Sequence, residues 1–421
     1  MNSITSGERI ATLDVIRGVA VMGIFSVNVI DFAMIQPAYF NPAAYGGHTG
    51  ASLLVWALNM LFIDGKMRAL FSMLFGASML LVIERAEASG RGGWATHWRR
   101  MLVLLGFGLL HYFFVWKGDI LTLYAVSGLV VFLFRRKEPR KLVVAGGIFV
   151  ILSMALLGAF AVSVWQSDLA AHAPGATAAQ IKQWNESGGF WYPSAARIER
   201  DRLLYSGDWW SLVVDNLRGW GSLVGNLIGG SIETIGLMLI GMAAYKSGLL
   251  TGKWSDPAYR RLALWGIGVG LLGHALLVYG DIASRFYSPL IMGGFLAAMS
   301  PFRIVQALGY AALLALVVRR GRSRLLPRLQ AVGQTAFSNY LGTSLVATFV
   351  FYGWGLGLYG DLSRWQAWLL APLVWAVMLT WSKPWLERFN YGPLEWAWRS
   401  LSRGKLQPMR RGPAVAAAPA G

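Results

Sequence analysis

The chain has 421 residues, of which 56% are hydrophobic and only 14% charged, and its mean hydropathy is +0.49. Soluble domains carry about 25% charged residues, so this composition excludes an ordinary soluble globular protein. The net charge is +18 and there is no cysteine. Disulfides and Cys-ligated metals are therefore excluded, and no metal site is predicted.

Polar residues form a stripe along the first apolar segment, residues 13–28, and the turn after it. Asp14, Arg17, Asn28 and Asp31 fall within about a third of a helix circumference, because successive residues are offset by about 100°. Against lipid, a central Arg or Asp would cost about 2.5–3.5 kcal/mol. We therefore expect this face to line a polar site, or alternatively to form a structural seam between helices.

Ten apolar segments are candidate membrane spans, since about 20 apolar residues cross a hydrocarbon core of about 30 Å. They lie near residues 15–35, 66–83, 100–116, 119–134, 142–165, 229–249, 261–280, 288–317, 333–353 and 366–382. The predicted fold is all-α, a polytopic membrane bundle of about ten transmembrane helices. One domain is expected over residues 1–403. A disordered tail is expected at 404–421, where Pro, Ala and Arg follow no period.

Three regions depart from simple spans. Residues 52–63 are apolar but too short to cross, which predicts a re-entrant or interfacial helix. Pro301 and Arg303 interrupt the eighth span, which predicts a broken helix bordering a cavity. Residues 166–228 are predicted to form an external loop followed by a surface segment.

The basic residues indicate a topology. Five segments that share one side of the predicted bundle hold 25 of the 38 Lys and Arg residues: 84–100, 135–141, 246–261, 319–328 and the tail from 383. By the positive-inside rule, both termini are predicted to be cytoplasmic, in a bacterial cytoplasmic membrane. The basic charge is thus a topology signal, and no nucleic-acid partner is expected.

The third and fourth spans bring a histidine near a carboxylate. His111 and Tyr124 are equally far from the turn at residues 117–118, so in an antiparallel hairpin they should share one depth, with Asp119 starting the returning helix. A His whose tautomer is fixed by a carboxylate can act as a general base. The alternative is a buried His bonded to a backbone carbonyl. His48, in an external loop near the outer end of the stripe, is a second catalytic candidate.

Three charged residues open the second span: Asp64, Lys66 and Arg68. We expect them to hold an anionic or hydroxyl-bearing acceptor at the outer mouth, or alternatively to snorkel to lipid headgroups. The sequence contains no Walker A loop, no HExxH and no GxSxG motif. Any chemistry is therefore expected within the membrane fold.

Several motifs together resemble one family of membrane proteins. They are LDVIRGVAVMGIFSVN, FNPAAYGG, KMRALFSMLFGAS, GLLH…GDILTLYAVSGL, SNYLGTSL, FYGWGLGL and GPLEWAWR, and they resemble the YeiB-like family of unassigned function. The first motif is also similar to the opening helix of the transmembrane acyltransferase superfamily, which includes heparan-alpha-glucosaminide acetyltransferase. Arg17, Gly18 and Asn28 match the Arg-Gly…Asn pattern of those relatives, whereas acyltransferase-3 relatives have their catalytic His where this chain has Asn28.

The resemblance implies transfer of an acyl group from cytoplasmic acyl-CoA to an extracytoplasmic small-molecule or glycan acceptor. The resemblance implies that Asp14, Arg17 and Asn28 contact the acyl-CoA. His111 would be the general base, supported by Asp119 and Tyr124. No cofactor is expected to stay bound, since acyl-CoA is a co-substrate. Membrane lipids are expected partners, and an oligomer is compatible with the sequence. The rival interpretations are a small-metabolite transporter or permease and a non-catalytic membrane scaffold.

Overall fold

The structure is a computed structural model that describes residues 10–187 and 193–411. In these two stretches every regular element is a helix, and the predicted all-α class is confirmed. The helices in chain order are α1 Ala11–Ala33, α2 Pro37–Phe40, α3 Gly50–Phe62, α4 Lys66–Ala88, α5 Gly93–Phe114, α6 Leu121–Val131, α7 Pro139–Ala171, α8 Ala178–Ser187, α9 Ala195–Tyr205, α10 Trp209–Arg218, α11 Trp220–Lys246, α12 Asp256–Ala283, α13 Ser288–Gly293, α14 Ser300–Arg320, α15 Leu326–Gln334, α16 Ala336–Phe351, α17 Arg364–Trp368, α18 Leu370–Arg388 and α19 Pro393–Arg403.

Seven described segments are long and apolar enough to cross a membrane: Ala11–Ala33, Gly50–Ala88, Pro139–Ala171, Trp220–Lys246, Asp256–Ala283, Ser300–Arg320 and Arg364–Arg388. Three shorter apolar helices accompany them, at Leu121–Phe134, Ser288–Ala298 and Ala336–Phe351. The predicted span at 100–116 corresponds to α5, which is in neither group. The count of ten spans and the cytoplasmic position of both termini stay predictions. Following that topology, we call the end of the bundle with the α5–α6 turn the outer end, and the end with α19 the inner end.

α1 is the central helix, and it packs against α4, α14, α15, α16, α17 and α18. Its contact with α15 is made backbone to backbone. A Cβ atom added at Gly333 would lie 1.8 Å from the carbonyl oxygen of Asp14, and one at Gly18 would lie 2.2 Å from that of Leu329. Small residues at both positions are therefore what allows the two helices to approach so closely.

Two of the apolar segments are interrupted inside the bundle. α3 ends and α4 begins across residues 63–65, and α13 is joined to α14 by a π-helical turn, Gly294–Ala298. Arg303, on the first turn of α14, contacts both interruptions. A Cβ at Gly65 would lie 2.1 Å from its Cδ, and its guanidinium donates to the carbonyl of Phe295 in the π-helical turn at 2.8 Å. The short helix predicted at 52–63 is thus α3, and the break predicted in the eighth span precedes Pro301.

The interruption after α3 frees backbone carbonyls that the bilayer cannot hydrate. Side chains satisfy three of them in succession. Lys66 donates from Nζ to the carbonyl of Met60. The side chains of Gln306 and Tyr310 each donate at 3.0 Å to the next two carbonyls, those of residues 61 and 62. A cation is also stabilised at the C-terminal, negative end of a helix dipole. Lys66 therefore stabilises the break both by its hydrogen bond and by its charge.

The region predicted as an external loop and surface segment is largely helical where it is described. α7 continues to Ala171, α8, α9 and α10 follow, and α11 begins at Trp220. At the other end of the chain, the hydrogen-bonded structure extends past the predicted boundary at 404. The amide of Asn390 donates to Met409 at 2.9 Å, and the indole of Trp396 donates to Gln407 at 2.8 Å. Residues 405–411 therefore lie against α18 and α19, and 412–421 lie outside the described residues.

Candidate functional site

The α5–α6 hairpin brings His111 and Asp119 into direct contact. The Nδ1 of His111 lies 2.8 Å from Oδ1 of Asp119, and the two side chains are 2% and 0% exposed. The second carboxylate oxygen accepts from the amide and the hydroxyl of Thr122, at 2.7 and 2.6 Å. Asp119 thus caps the first turn of α6, and the cap fixes the carboxylate against the imidazole.

The other ring nitrogen of His111 is not bonded by any residue that the structure describes. Its Nε2 is buried and has no hydrogen-bond partner in the described chain. Because a carboxylate accepts from Nδ1–H, the neutral ring carries its lone pair on Nε2. The alternative prediction, a His bonded to a backbone carbonyl, describes other histidines instead. His97 pairs with the carbonyl of Gly128 at 3.0 Å, and His274 with that of Gly270 at 2.7 Å.

Tyr124 is directed toward α4 rather than toward the histidine. Its hydroxyl lies 2.8 Å from the Oγ of Ser72. The tyrosine ring beside His111 is that of Tyr340, whose centroid lies 5.5 Å away and whose hydroxyl accepts from the amide of Ile120 at 3.2 Å. The sequence does not predict that Tyr340 lies beside His111, because Tyr340 is on α16, far along the chain from the hairpin.

The inner part of the polar stripe ties three helices together. Arg17 donates to Asp14 at 3.0 Å and to the hydroxyl of Ser78 on α4 at 2.7 Å. Asp14 also accepts from Gln334 at the end of α15, at 3.1 Å. These contacts are those of a structural seam between helices, which is the alternative prediction for the stripe. The side chain of Arg17 nevertheless remains 22% exposed, so part of its guanidinium is accessible.

The outer part of the stripe is more open. Asn28 and Asp31 are only half-buried although α1 is central. The side chain of Asn28 makes no hydrogen bond to the described residues, and Trp116 stacks on Phe32, the neighbour of Asp31 on α1, with ring centroids 4.0 Å apart. Trp116 in turn lies edge-on to His111, with ring centroids 6.2 Å apart. The outer half of the stripe is therefore linked to the His111–Asp119 pair.

Asp64, Lys66 and Arg68 lie between the two interrupted helices, not at an outer mouth. Asp64 is 7% exposed and Lys66 is 0% exposed, so neither of these two side chains snorkels to the membrane surface. The physical reason is the break itself, which needs polar partners inside the bundle. Arg68 donates to Glu233 on α11. The second oxygen of Glu233 accepts from Ser300 at 2.9 Å, so the carboxylate is paired on both sides.

A small cavity of about 20 Å³ adjoins this group and is lined by Tyr39, Asn59, Asp64 and Arg364 among others. A space of that size holds about one water molecule. Tyr39, on the short helix outside the spans, donates to Asp64 at 3.1 Å. Burial, with Asp64 beside it, raises the pKa of the Tyr39 hydroxyl well above its ordinary value, so the hydroxyl keeps its proton and remains a donor.

His48 has no comparable support. It lies in an exposed loop, and its ring meets Phe286 edge-on at 6.0 Å between centroids. No hydrogen bond or ion pair to its ring is present among the described residues. The orienting acid that a base of this kind needs is therefore found at His111 and not at His48.

Long apolar helices with a buried set of paired and unpaired polar groups define a multi-pass helical membrane protein. A family model described as protein of unknown function (DUF418) matches residues 244–405. The chain is 33% identical to the uncharacterized protein YxaH of Bacillus subtilis (strain 168), over 96% of this chain and 97% of that one. It is 32% identical to the uncharacterized protein YeiB of Escherichia coli (strain K12), over 94% and 96%. The chain belongs to this YeiB-like DUF418 family, and no solved structure matches it.

Proposed function

We propose that the protein is a membrane-embedded acyltransferase of a bacterial cytoplasmic membrane. It would move an acyl group from cytoplasmic acyl-CoA to a small-molecule or glycan hydroxyl on the other side. The observation that carries this proposal is the His111–Asp119 pair. One ring nitrogen is fixed by a buried carboxylate, and the other is left without a protein partner. This is the arrangement by which a neutral imidazole serves as a general base in acyl transfer.

In the proposed reaction the acceptor hydroxyl oxygen attacks the thioester carbonyl carbon while Nε2 of His111 removes the hydroxyl proton. Collapse of the tetrahedral intermediate breaks the carbon–sulfur bond, and the imidazolium returns the proton to the departing CoA sulfur. Asp119 keeps the proton of Nδ1 in place and stabilises the imidazolium between the two steps. Thr122 holds Asp119 in turn, through two hydrogen bonds.

The polar stripe of α1 supplies the proposed path for the acyl donor. Arg17, partly exposed in the inner half, would meet the CoA phosphates, with Asp14 holding its guanidinium and Asn28 farther along the same face. Asp31 and Asp64 would bind the acceptor hydroxyls at the outer half. Lys66 and Arg68 would act by keeping the interrupted helices and Glu233 in place.

The test is release of CoA thiol from acetyl-CoA by the purified protein in nanodiscs, supplied with a polar extract of acceptors from the producing cells. His111→Gln should lower the rate by about 10²–10⁴-fold, the usual contribution of a general base, while the thermal unfolding midpoint is kept. His48→Gln is the matched control and should retain most of the activity. If His48→Gln abolishes transfer and His111→Gln does not, the base is assigned wrongly. If neither variant changes the rate, the acyltransferase proposal is dropped.

A transporter for a small metabolite is the second candidate, and a specific feature favours it. Two helices are interrupted inside the bundle, at residues 63–65 and Gly294–Ala298, and the ionisable side chain of Arg303 contacts both interruptions. Discontinuous helices of this kind form the substrate sites of many secondary transporters. Uptake of a chemically unchanged solute into sealed vesicles, without thiol release from acyl-CoA, would replace the first proposal by this one.

A further inference from the structure

The small cavity beside Asp64 is bordered by buried donors that keep unused hydrogen-bonding capacity. Trp56, on α3, and Arg364, at the start of α17, are 3% and 2% exposed, and both line the cavity. The indole Nε1–H of Trp56 and the Nε–H of Arg364 are buried, and each lacks a hydrogen-bond partner within residues 10–187 and 193–411. A buried N–H group without an acceptor loses its hydration and gains nothing in return. Two such donors therefore border one space.

Asp64 supplies an acceptor in the same lining. Its Oδ1 accepts from the hydroxyl of Tyr39 at 3.1 Å, whereas its Oδ2 has no hydrogen-bond partner in the described chain. Asn59, which also lines the cavity, is committed elsewhere. Its amide donates to the carbonyl of Val55 at 3.1 Å, and its oxygen lies 3.3 Å from the hydroxyl of Ser26. The lining thus leaves two N–H donors and one carboxylate oxygen for an occupant.

The size and the charge of the cavity restrict its occupant. Its volume of about 20 Å³ accommodates one oxygen atom with its hydrogen. The charged groups in the lining are one carboxylate and one guanidinium, so the lining has no net charge to compensate a buried ion. A hydroxyl group fits both limits, because it accepts two hydrogen bonds and donates one. Its two lone pairs match the N–H groups of Trp56 and Arg364, and its proton matches Oδ2 of Asp64.

We propose that this cavity binds one hydroxyl group of the acyl acceptor, an inference that rests on the proposed function. This hydroxyl is not the one that attacks the thioester, because the residues that line the cavity do not include His111. The cavity nevertheless lies at the same end of α1 as His111. Ile30 lines the cavity, and Phe32 on the same turn of α1 stacks on Trp116. The acceptor is therefore a polyol or glycan with at least two hydroxyl groups, since a mono-alcohol would leave the buried donors unpaired.

The test measures saturation by the acceptor in the thiol-release assay, with graded amounts of the same polar extract at saturating acetyl-CoA. Trp56→Phe removes the indole N–H and keeps an aromatic ring. It should raise the amount of extract needed for the half-maximal rate about two- to tenfold, the effect of one hydrogen bond, with the maximal rate and the acetyl-CoA dependence unchanged. Trp368→Phe is the matched control. The indole N–H of Trp368 is also buried and unpaired in the described chain, but Trp368 does not line the cavity.

Arg364→Lys is the second variant, and it also serves if Trp56→Phe fails to fold. It keeps a positive charge but removes the Nε–H, whose hydrogen bond is charge-assisted, and should raise the half-maximal amount of extract about tenfold or more.

Two results would overturn the hydroxyl site while the wild-type protein still releases thiol, so that acyl transfer stands. Equal half-maximal amounts for Trp56→Phe and Trp368→Phe would mean that the cavity holds only water. A fall in the maximal rate alone would assign Trp56 a structural role. Absence of thiol release from the wild-type protein would instead reject acyl transfer, and this site with it.

Discussion

Two buried polar groups of this bundle differ in the kind of atom that they leave unpaired: Nε of Arg303 and Oε1 of Gln306, which are not bases, between the interrupted helices, and the imidazole Nε2 of His111 in the α5–α6 hairpin. Between the interrupted helices, Glu233 is bonded through both oxygens, and Lys66 is committed to a backbone carbonyl. In the α5–α6 hairpin the carboxylate of Asp119 is equally well paired, but the Nε2 of His111 is not. The first group therefore has the character of a structural device that permits broken helices. The second keeps one basic atom available for a reactant.

Among the substitutions that test this difference, the largest effect is expected at Glu233, on the free energy of unfolding. Glu233→Ala removes the carboxylate that pairs with Arg68 and lies 3.9 Å from Arg303. Breaking a buried pair by deleting one partner costs about 3–5 kcal/mol, and we expect a loss of that size in the free energy of unfolding in detergent. Glu387→Ala is the control, because Glu387 is 60% exposed in its pair with Lys383 and such pairs contribute less than about 1 kcal/mol. Equal destabilisation by both variants would contradict a structural role for Glu233.

The interruptions themselves were predictable from the sequence. A short apolar run followed by Asp64, Gly65 and Lys66 signals a break, and so do Pro301 and Arg303 within a long span. Contact between His111 and Asp119 was also predictable, because a hairpin brings its two ends together. These features depend only on neighbours along the chain and on the cost of burying charge.

Partners that are distant in sequence were not predictable. Glu233 lies 165 positions from Arg68, and no local pattern links them. The direction of the Tyr124 side chain was also not predictable. α6 is apolar on nearly all sides, so its hydrophobic pattern does not define how the helix is rotated about its axis. Counting residues from the turn predicts that Tyr124 and His111 lie at the same depth in the bundle. The side chain of Tyr124 points away from His111, however, and the ring beside His111 is that of Tyr340. The same limit applies to the stacking of Arg100 on Trp398, because these two residues lie 298 positions apart in the chain.

An intermediate effect is expected at Arg17, which tests whether the inner stripe is only a seam. Its two terminal nitrogens contact Asp14 and Ser78 separately, a geometry that a single ammonium group cannot reproduce. Arg17→Lys should weaken CoA binding by about tenfold, or about 1.4 kcal/mol, as measured by titration calorimetry. An unchanged CoA affinity in a well-folded Arg17→Lys protein would assign Arg17 to the seam alone. In that case the double variant Asp14→Asn, Arg17→Gln should recover much of the stability lost by either single change.

The smallest effect is expected at Tyr124, which sharpens the boundary of the proposed reactive group. The hydroxyl of Ser72 already donates to the carbonyl of Arg68 at 2.8 Å, so in the bond between the two hydroxyls Tyr124 is the donor. Tyr124→Phe therefore removes one neutral hydrogen bond, worth about 0.5–1.5 kcal/mol of unfolding free energy, and should leave the acyl-transfer rate nearly unchanged. Tyr340→Phe is the informative partner, because it leaves the amide of Ile120 without its acceptor next to His111 and should lower the rate more. A rate loss in Tyr124→Phe as large as that of His111→Gln would place Tyr124 among the reacting groups, and the distinction between the two tyrosines would then be lost.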